Sequence, residues 1–228
     1  MTNADHNEQE PSVWSRSDWI LLAANIAIFT AVFLIFNDRL PDIVASHYNL
    51  RGEADRTMTK SSFWLMNAGL TIVLPSVMSI IRYIDPRKRN YARFQNYYNL
   101  IRWAINLFLH SVLLLVVLDN IGYKLPMLNL VIGGMGILWM IMGNRMGQMR
   151  SNFLFGIRTP WTLVDENNWR KTHRLGGRLW FAAGVIMFLS AWLTPSGWTV
   201  AILLVCTLAS SLAPVLYSYM LFKQSPQT

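Results

Sequence analysis

Two polar stretches hold the side chains of this 228-residue chain best suited to chemistry. The first, residues 37–62, reads NDRLPDIVASHYNLRGEADRTMTKSS. His47, Asn49, Glu53, Asp55 and Lys60 could bind a proton, a cation or a carboxylate there. His47 and Asn49 are two apart, as are Glu53 and Asp55, so in extended chain each pair points to one side. Such a set suits a hard cation or zinc, but it lacks the paired Cys or His spacing of a closed zinc site. The other reading is a folded loop in which Asp55 pairs with Lys60 and His47 is a hydrogen-bonding strut.

The second stretch, residues 151–177, reads SNFLFGIRTPWTLVDENNWRKTHRLGG. Gly156 to Pro160 spells a tight bend, with Arg158 held between Phe155 and Trp161. A guanidinium so placed can fork onto a carboxylate or stack on a ring. Thr162 or Asp165 can cap a helix starting near Glu166. On it Glu166 and Arg170 are spaced for an ion pair, and Trp169 and His173 share a face. Arg170, Arg174 and Arg178 form a basic stripe, and Gly176-Gly177 is expected to loosen the junction with the next apolar run. Two readings stay open. One is an amphipathic segment lying at a membrane interface, with tryptophans at headgroup depth. The other is a docking surface centred on Arg158.

The elements that must position these residues are apolar. Only 14% of the chain is charged, against roughly 25% in soluble domains. Charge is absent from Trp19–Phe36, Phe63–Ile81, Trp103–Leu118, Leu125–Met142 and Leu179–Phe222. A spanning helix takes about 20 apolar residues. The last run is too long for one helix and divides at Thr194-Pro195-Ser196-Gly197. The fold class is therefore all-α, an integral membrane protein with six transmembrane helices. Spanning strands would alternate apolar and polar residues, and LLAANIAIFTAVFLIF does not. Bulky Ile35 and Phe36 make the first run an anchor and not a cleaved signal.

Lys and Arg set the orientation. Fourteen fall on one side, in the termini, the 82–93 connection and the 145–178 connection; five fall on the other, at Arg39, Arg51, Arg56, Lys60 and Lys124. Both termini are thus expected in the cytoplasm, and the first loop faces out. The resulting organisation is a disordered cytoplasmic tail (1–18), helices 1 and 2 with the outward loop (19–84), helices 3 and 4 (85–143), a cytoplasmic segment (144–178), and helices 5 and 6 with a short tail (179–228).

Pro75 and Pro214 should bend their helices, and Gly133-Gly134-Met135-Gly136 permits close helix approach. Asn25, Asn67, Asn106 and His110 are the polar residues of the spans. A proton relay takes several ionisable groups, and no two matched interrupted helices occur. Cys206 stands alone and reads as packing. The net charge of +8 fits anionic membrane lipids, and with no basic soluble domain direct nucleic-acid binding is not expected. No nucleophile elbow, phosphate loop or HExxH motif occurs. No catalytic residue, resident metal or cofactor is assigned, and the chain reads as a non-enzyme. The rival reading is a transporter or enzyme with its site in the polar loops.

Both stretches resemble one family. The second carries N-x-x-F-G-I-R-T-P-W-T followed by W-x-x-T-H-R-x-G, and the first carries P-x-x-x-x-x-H-x-N-x-x-G-x-x-D-x-x-x-x-K. These patterns resemble the SdpI family of bacterial immunity and signalling membrane proteins, together with the small domain of unknown function that precedes its signature. The resemblance implies a multi-pass protein of the bacterial inner membrane that protects its cell from a secreted, membrane-active peptide toxin. It also implies, for some members, capture of a cytoplasmic transcriptional repressor. Carried over position by position, the signature falls on Asn152, Phe155, Gly156, Arg158, Thr159, Pro160, Trp161, Thr162, Trp169, Thr172, His173 and Gly176. The outer pattern falls on Pro41, His47, Asn49, Gly52, Asp55 and Lys60.

Overall fold

The computed structural model describes residues 14–224. Among these described residues, six helices are long and apolar enough to cross a membrane. The first span is α1 (Arg16–Phe36). After it, β1 (Ile43–Tyr48) and β2 (Ala54–Thr59) pair antiparallel. The all-α reading thus holds for the spans, with one two-stranded hairpin added outside them. Arg51-Gly52-Glu53 is its turn, and Gly52 takes φ +78°, a left-handed value that glycine adopts without strain.

The second span joins α2 (Lys60–Ala68), a π turn (Gly69–Val73) and α3 (Leu74–Ile84). Pro75 explains the interruption. It has no N–H and its ring crowds the carbonyl four residues back, and the wider turn accommodates both. The third span is α4 (Gln95–Asn120), entered through a 3₁₀ stretch at Lys88–Phe94. The fourth is α5 (Met127–Arg145). A short α6 (Pro160–Val164) precedes the fifth, α7 (Glu166–Leu193), and the sixth, α8 (Ser196–Gln224), which Pro214 does not break.

Two boundaries differ from the sequence expectation. The 1–18 tail is too long: residues 1–13 lie outside the described part, but helix begins at Arg16 and Asp18 is fully buried. The fifth span also starts at Glu166, not after Arg178. Gly176-Gly177 does not loosen a junction. A Cβ on Gly177 would sit 2.6 Å from the Gly143 carbonyl, and one on Gly184 would sit 2.6 Å from the Gly136 carbonyl. The two glycine pairs, seven residues apart on each helix, bring α5 and α7 into backbone contact. Gly136 belongs to the glycine run of the sequence, whereas Gly143 lies two turns beyond it. Cys206 packs in a buried cluster between these helices and α8, with Met187 and Val200.

Candidate functional site

Chain crossings put residues 82–94, residues 146–165 and the end of α8 on one face, and the hairpin on the other. The signature face is built around carboxylates. Asp85 Oδ2 accepts the backbone N–H of Phe153 (2.9 Å) and Leu154 (3.0 Å) and the hydroxyl of Tyr91 (3.1 Å). Asn152 Oδ1 accepts the Phe155 N–H at 2.7 Å. Arg87 donates to the Leu163 carbonyl (2.8 Å) and to Ser151 Oγ, and its guanidinium lies 4.7 Å from the Phe153 ring centre. The loop needs these partners because it has few backbone bonds of its own.

Beneath the loop, His173 is fully buried. Its Nδ1 bonds the Trp169 carbonyl (2.8 Å), and its Nε2 accepts the Ile157 N–H (2.9 Å). Accepting at Nε2 and donating at Nδ1 fixes the neutral tautomer. The Trp169 and His173 rings stack 4.0 Å apart. Trp169 donates Nε1–H to the Met149 carbonyl at 3.0 Å. It is therefore a core residue, which overturns the reading of this tryptophan as a headgroup anchor. Gly156 turns over the imidazole with φ +105°, and a Cβ there would fall 2.7 Å from His173 Nε2.

Thr159 caps α6 by accepting the Thr162 N–H (3.1 Å), and Pro160 occupies its first turn. Asp165 caps α7 by accepting the Asn167 N–H (2.8 Å). Trp161 rests against Tyr219 and Phe222 of α8, and Asn168 donates to the Ser218 carbonyl at 2.8 Å. Thr172 reaches Asn168 (3.0 Å) and Gly176 lies under Ile157. Arg158 is exposed and donates to the Phe153 carbonyl at 2.7 Å, rather than tying the bend to Asp165 or Glu166. Arg170 turns to Asn167 (3.1 Å) instead of the expected Glu166.

On the hairpin face, His47 Nδ1 meets Asp55 Oδ1 at 2.5 Å. This bond holds the Asp55 carboxyl below its usual range. The expected Asp55–Lys60 pair is not formed. Lys60 lies 3.5 Å from Asp42 and donates to the Leu40 carbonyl (3.2 Å), which ties the end of the first span to the start of the second. Asn49 Oδ1 accepts the N–H groups of Arg51 (2.8 Å) and Glu53 (3.1 Å), so it shapes the turn. The hairpin is moored to the far end of α4. Tyr48 donates to Asp119 at 2.8 Å, and Asn120 accepts the Ala45 N–H at 2.7 Å. Burial, and then Asp119, push the Tyr48 phenol up. Among the described residues no three His, Cys, Asp or Glu side chains converge.

A third cluster is one that sequence reasoning missed. Asp18 of α1 meets Arg102 of α4 at 2.8 Å and Arg82 of α3 at closer range. Tyr83 (2.7 Å) and Ser15 (2.8 Å) also donate to it. The only signal in the sequence is the placing of single charges near span ends.

The chain's relatives match both faces. Residues 148–218 match the SdpI/YfhL protein family and residues 25–71 match a domain of unknown function, DUF1648. The chain is 29% identical over 164 residues, 70% of its own length and 78% of the relative's, to "Immunity protein SdpI" of Bacillus subtilis (strain 168). No solved structure matches. The two matched segments contain the hairpin and the Asn152–His173 signature, so the similarity to the SdpI/YfhL protein family, with DUF1648 ahead of it, takes in both polar faces.

Proposed function

We propose that this chain is an immunity protein of the bacterial inner membrane that protects the producing cell from a secreted peptide toxin. The similarity to a protein named for immunity, across 70% of the chain, carries the reading. The geometry supports it, because the polar residues are organised as two firm faces and not as a reaction centre. In this proposal the hairpin faces out and meets the toxin or its membrane-inserted form. The signature face is cytoplasmic and offers Arg158 and the Trp161 edge to a regulator such as a transcriptional repressor. Most of Asn152, Phe155, Gly156, Thr159, Thr162, Trp169 and His173 then shape that face without touching the partner.

Expression in a toxin-sensitive bacterium tests the proposal. Survival above the empty vector supports immunity, and equal survival with the protein verified in the membrane refutes it for that toxin. Orientation is tested with Cys206→Ser and single cysteines at Leu50 and Val164, which are 69% and 81% exposed. An impermeant thiol reagent should label only the first in intact cells. Labelling of the second alone would exchange the toxin and regulator sides.

A further inference from the structure

Beside the Gly143–Gly177 contact, at the signature-face ends of α5 and α7, lies an open cleft of about 460 Å³. Arg145, Arg174 and Arg178 line it, with Asn144, Gln148 and Phe181. All three arginines are exposed, and none forms an ion pair among the described residues. No acidic side chain lines the cleft. The nearby acids are otherwise engaged or distant: Asp85 holds the signature loop and Asp165 caps α7. Glu166 lies eight residues before Arg174, about 12 Å along the helix. Three cations lining one cleft with no acidic side chain in its lining form a site for an anion, and the planar guanidinium matches two oxygens of a phosphate at once.

The cleft wall selects among anions. Phe181 is 43% exposed and lies one turn beyond Arg178, towards the middle of the span. A ligand in the cleft therefore meets charge at the span's end and an aromatic wall on the bilayer side. We infer that this cleft binds the headgroup phosphate of an anionic phospholipid, with the arginines on the phosphate and an acyl chain along Phe181. Basic pockets between spans at the membrane border suit such headgroups. A free phosphate would use the same arginines but gain nothing from Phe181.

The test uses the full chain purified in mild detergent, with bound lipid measured by native mass spectrometry. Phosphatidylglycerol is expected to be retained at least tenfold better than phosphatidylcholine. Arg145→Gln/Arg174→Gln/Arg178→Gln is expected to abolish that preference. Arg150→Gln/Arg170→Gln/Lys171→Gln removes the same charge from exposed neighbours outside the cleft and is expected to keep it. Phe181→Ala should weaken phosphatidylglycerol retention. Equal retention of the two lipids by the parent protein overturns the inference without reference to any variant. Equal loss in both triple variants also overturns it, because the attraction would then be diffuse. Displacement of the lipid by inorganic phosphate at equal concentration would assign the cleft to a free anion instead.

Discussion

The Asp85 carboxylate accepts the backbone N–H of Phe153 at 2.9 Å, across 68 positions of sequence. With Leu154 N–H on the same oxygen, one side chain from the second connection holds the start of the signature loop. Asp85→Ala removes two part-buried hydrogen bonds to a carboxylate, each of a kind that contributes about 1.5–3 kcal/mol. The expected outcome is rapid proteolytic cleavage within residues 150–158 while the six spans stay intact. Cleavage at the parent rate would contradict the assigned role.

Gly156 and His173 form a second, tighter dependence. Alanine at 156 adopts a positive φ poorly and meets Nε2. Strain of about 1–3 kcal/mol follows for such a backbone. Gly156→Ala should lower the thermal midpoint, whereas Gly197→Ala, with nothing within 4 Å of the added carbon, should not. Equal midpoints would show that the loop yields freely.

The α5–α7 contact is expected to be equally intolerant. Gly143→Ala would drive a carbon to 2.5 Å from the Phe181 nitrogen, which backbone can relieve only by separating the helices. Overpacking costs typically about 1–3 kcal/mol. Increased cross-linking distance between cysteines placed on α5 and α7 is the expected readout, and an unchanged distance contradicts it.

Acid should loosen the hairpin before the spans. Asp55 has a depressed folded pKa because His47 bonds its charged form. Its contribution is present above the ordinary carboxylate value of 3.8 and disappears as pH falls through the lower folded value. Hydrogen-exchange protection of the Tyr48 and Asp55 amides should fall below about pH 4 in the parent. Asp55→Asn should show lower protection at neutral pH and a flat profile. A sloping profile in that variant would assign the effect elsewhere.

The spans are legible in the sequence because lipid leaves little choice: charge-free runs of about 20 residues must be helical. The signature is legible as a pattern, and Arg158 and Trp161 stand out in it as neighbours of a bend. The roles of Trp169 and His173 are not legible. Helical spacing shows that two residues share a face, but not whether that face meets lipid headgroups or a loop folded back from residues 149–157. Proximity in sequence pairs Lys60 with Asp55, whereas the hairpin brings His47 to Asp55 and leaves Lys60 to the carbonyls ending α1. Asp18 reads as tail because it precedes the first apolar run. Its burial depends on Arg82 and Arg102, whose convergence is a property of three packed helices.

The division of labour between the two faces is tested most directly by toxin survival of the parent and two variants, matched for membrane level. Leu50→Ser/Arg51→Glu alters the hairpin tip at two exposed side chains that make no hydrogen bond or ion pair among the described residues. Arg158→Ala alters the exposed cation of the signature face. The parent should survive well above the empty vector. The tip variant should fall at least tenfold in protective toxin concentration, about 1.4 kcal/mol of binding. Arg158→Ala should protect like the parent while losing any regulator response. A tip variant that protects as well as the parent would contradict the assignment of toxin contact to the hairpin, and a parent no better than the vector would contradict immunity itself.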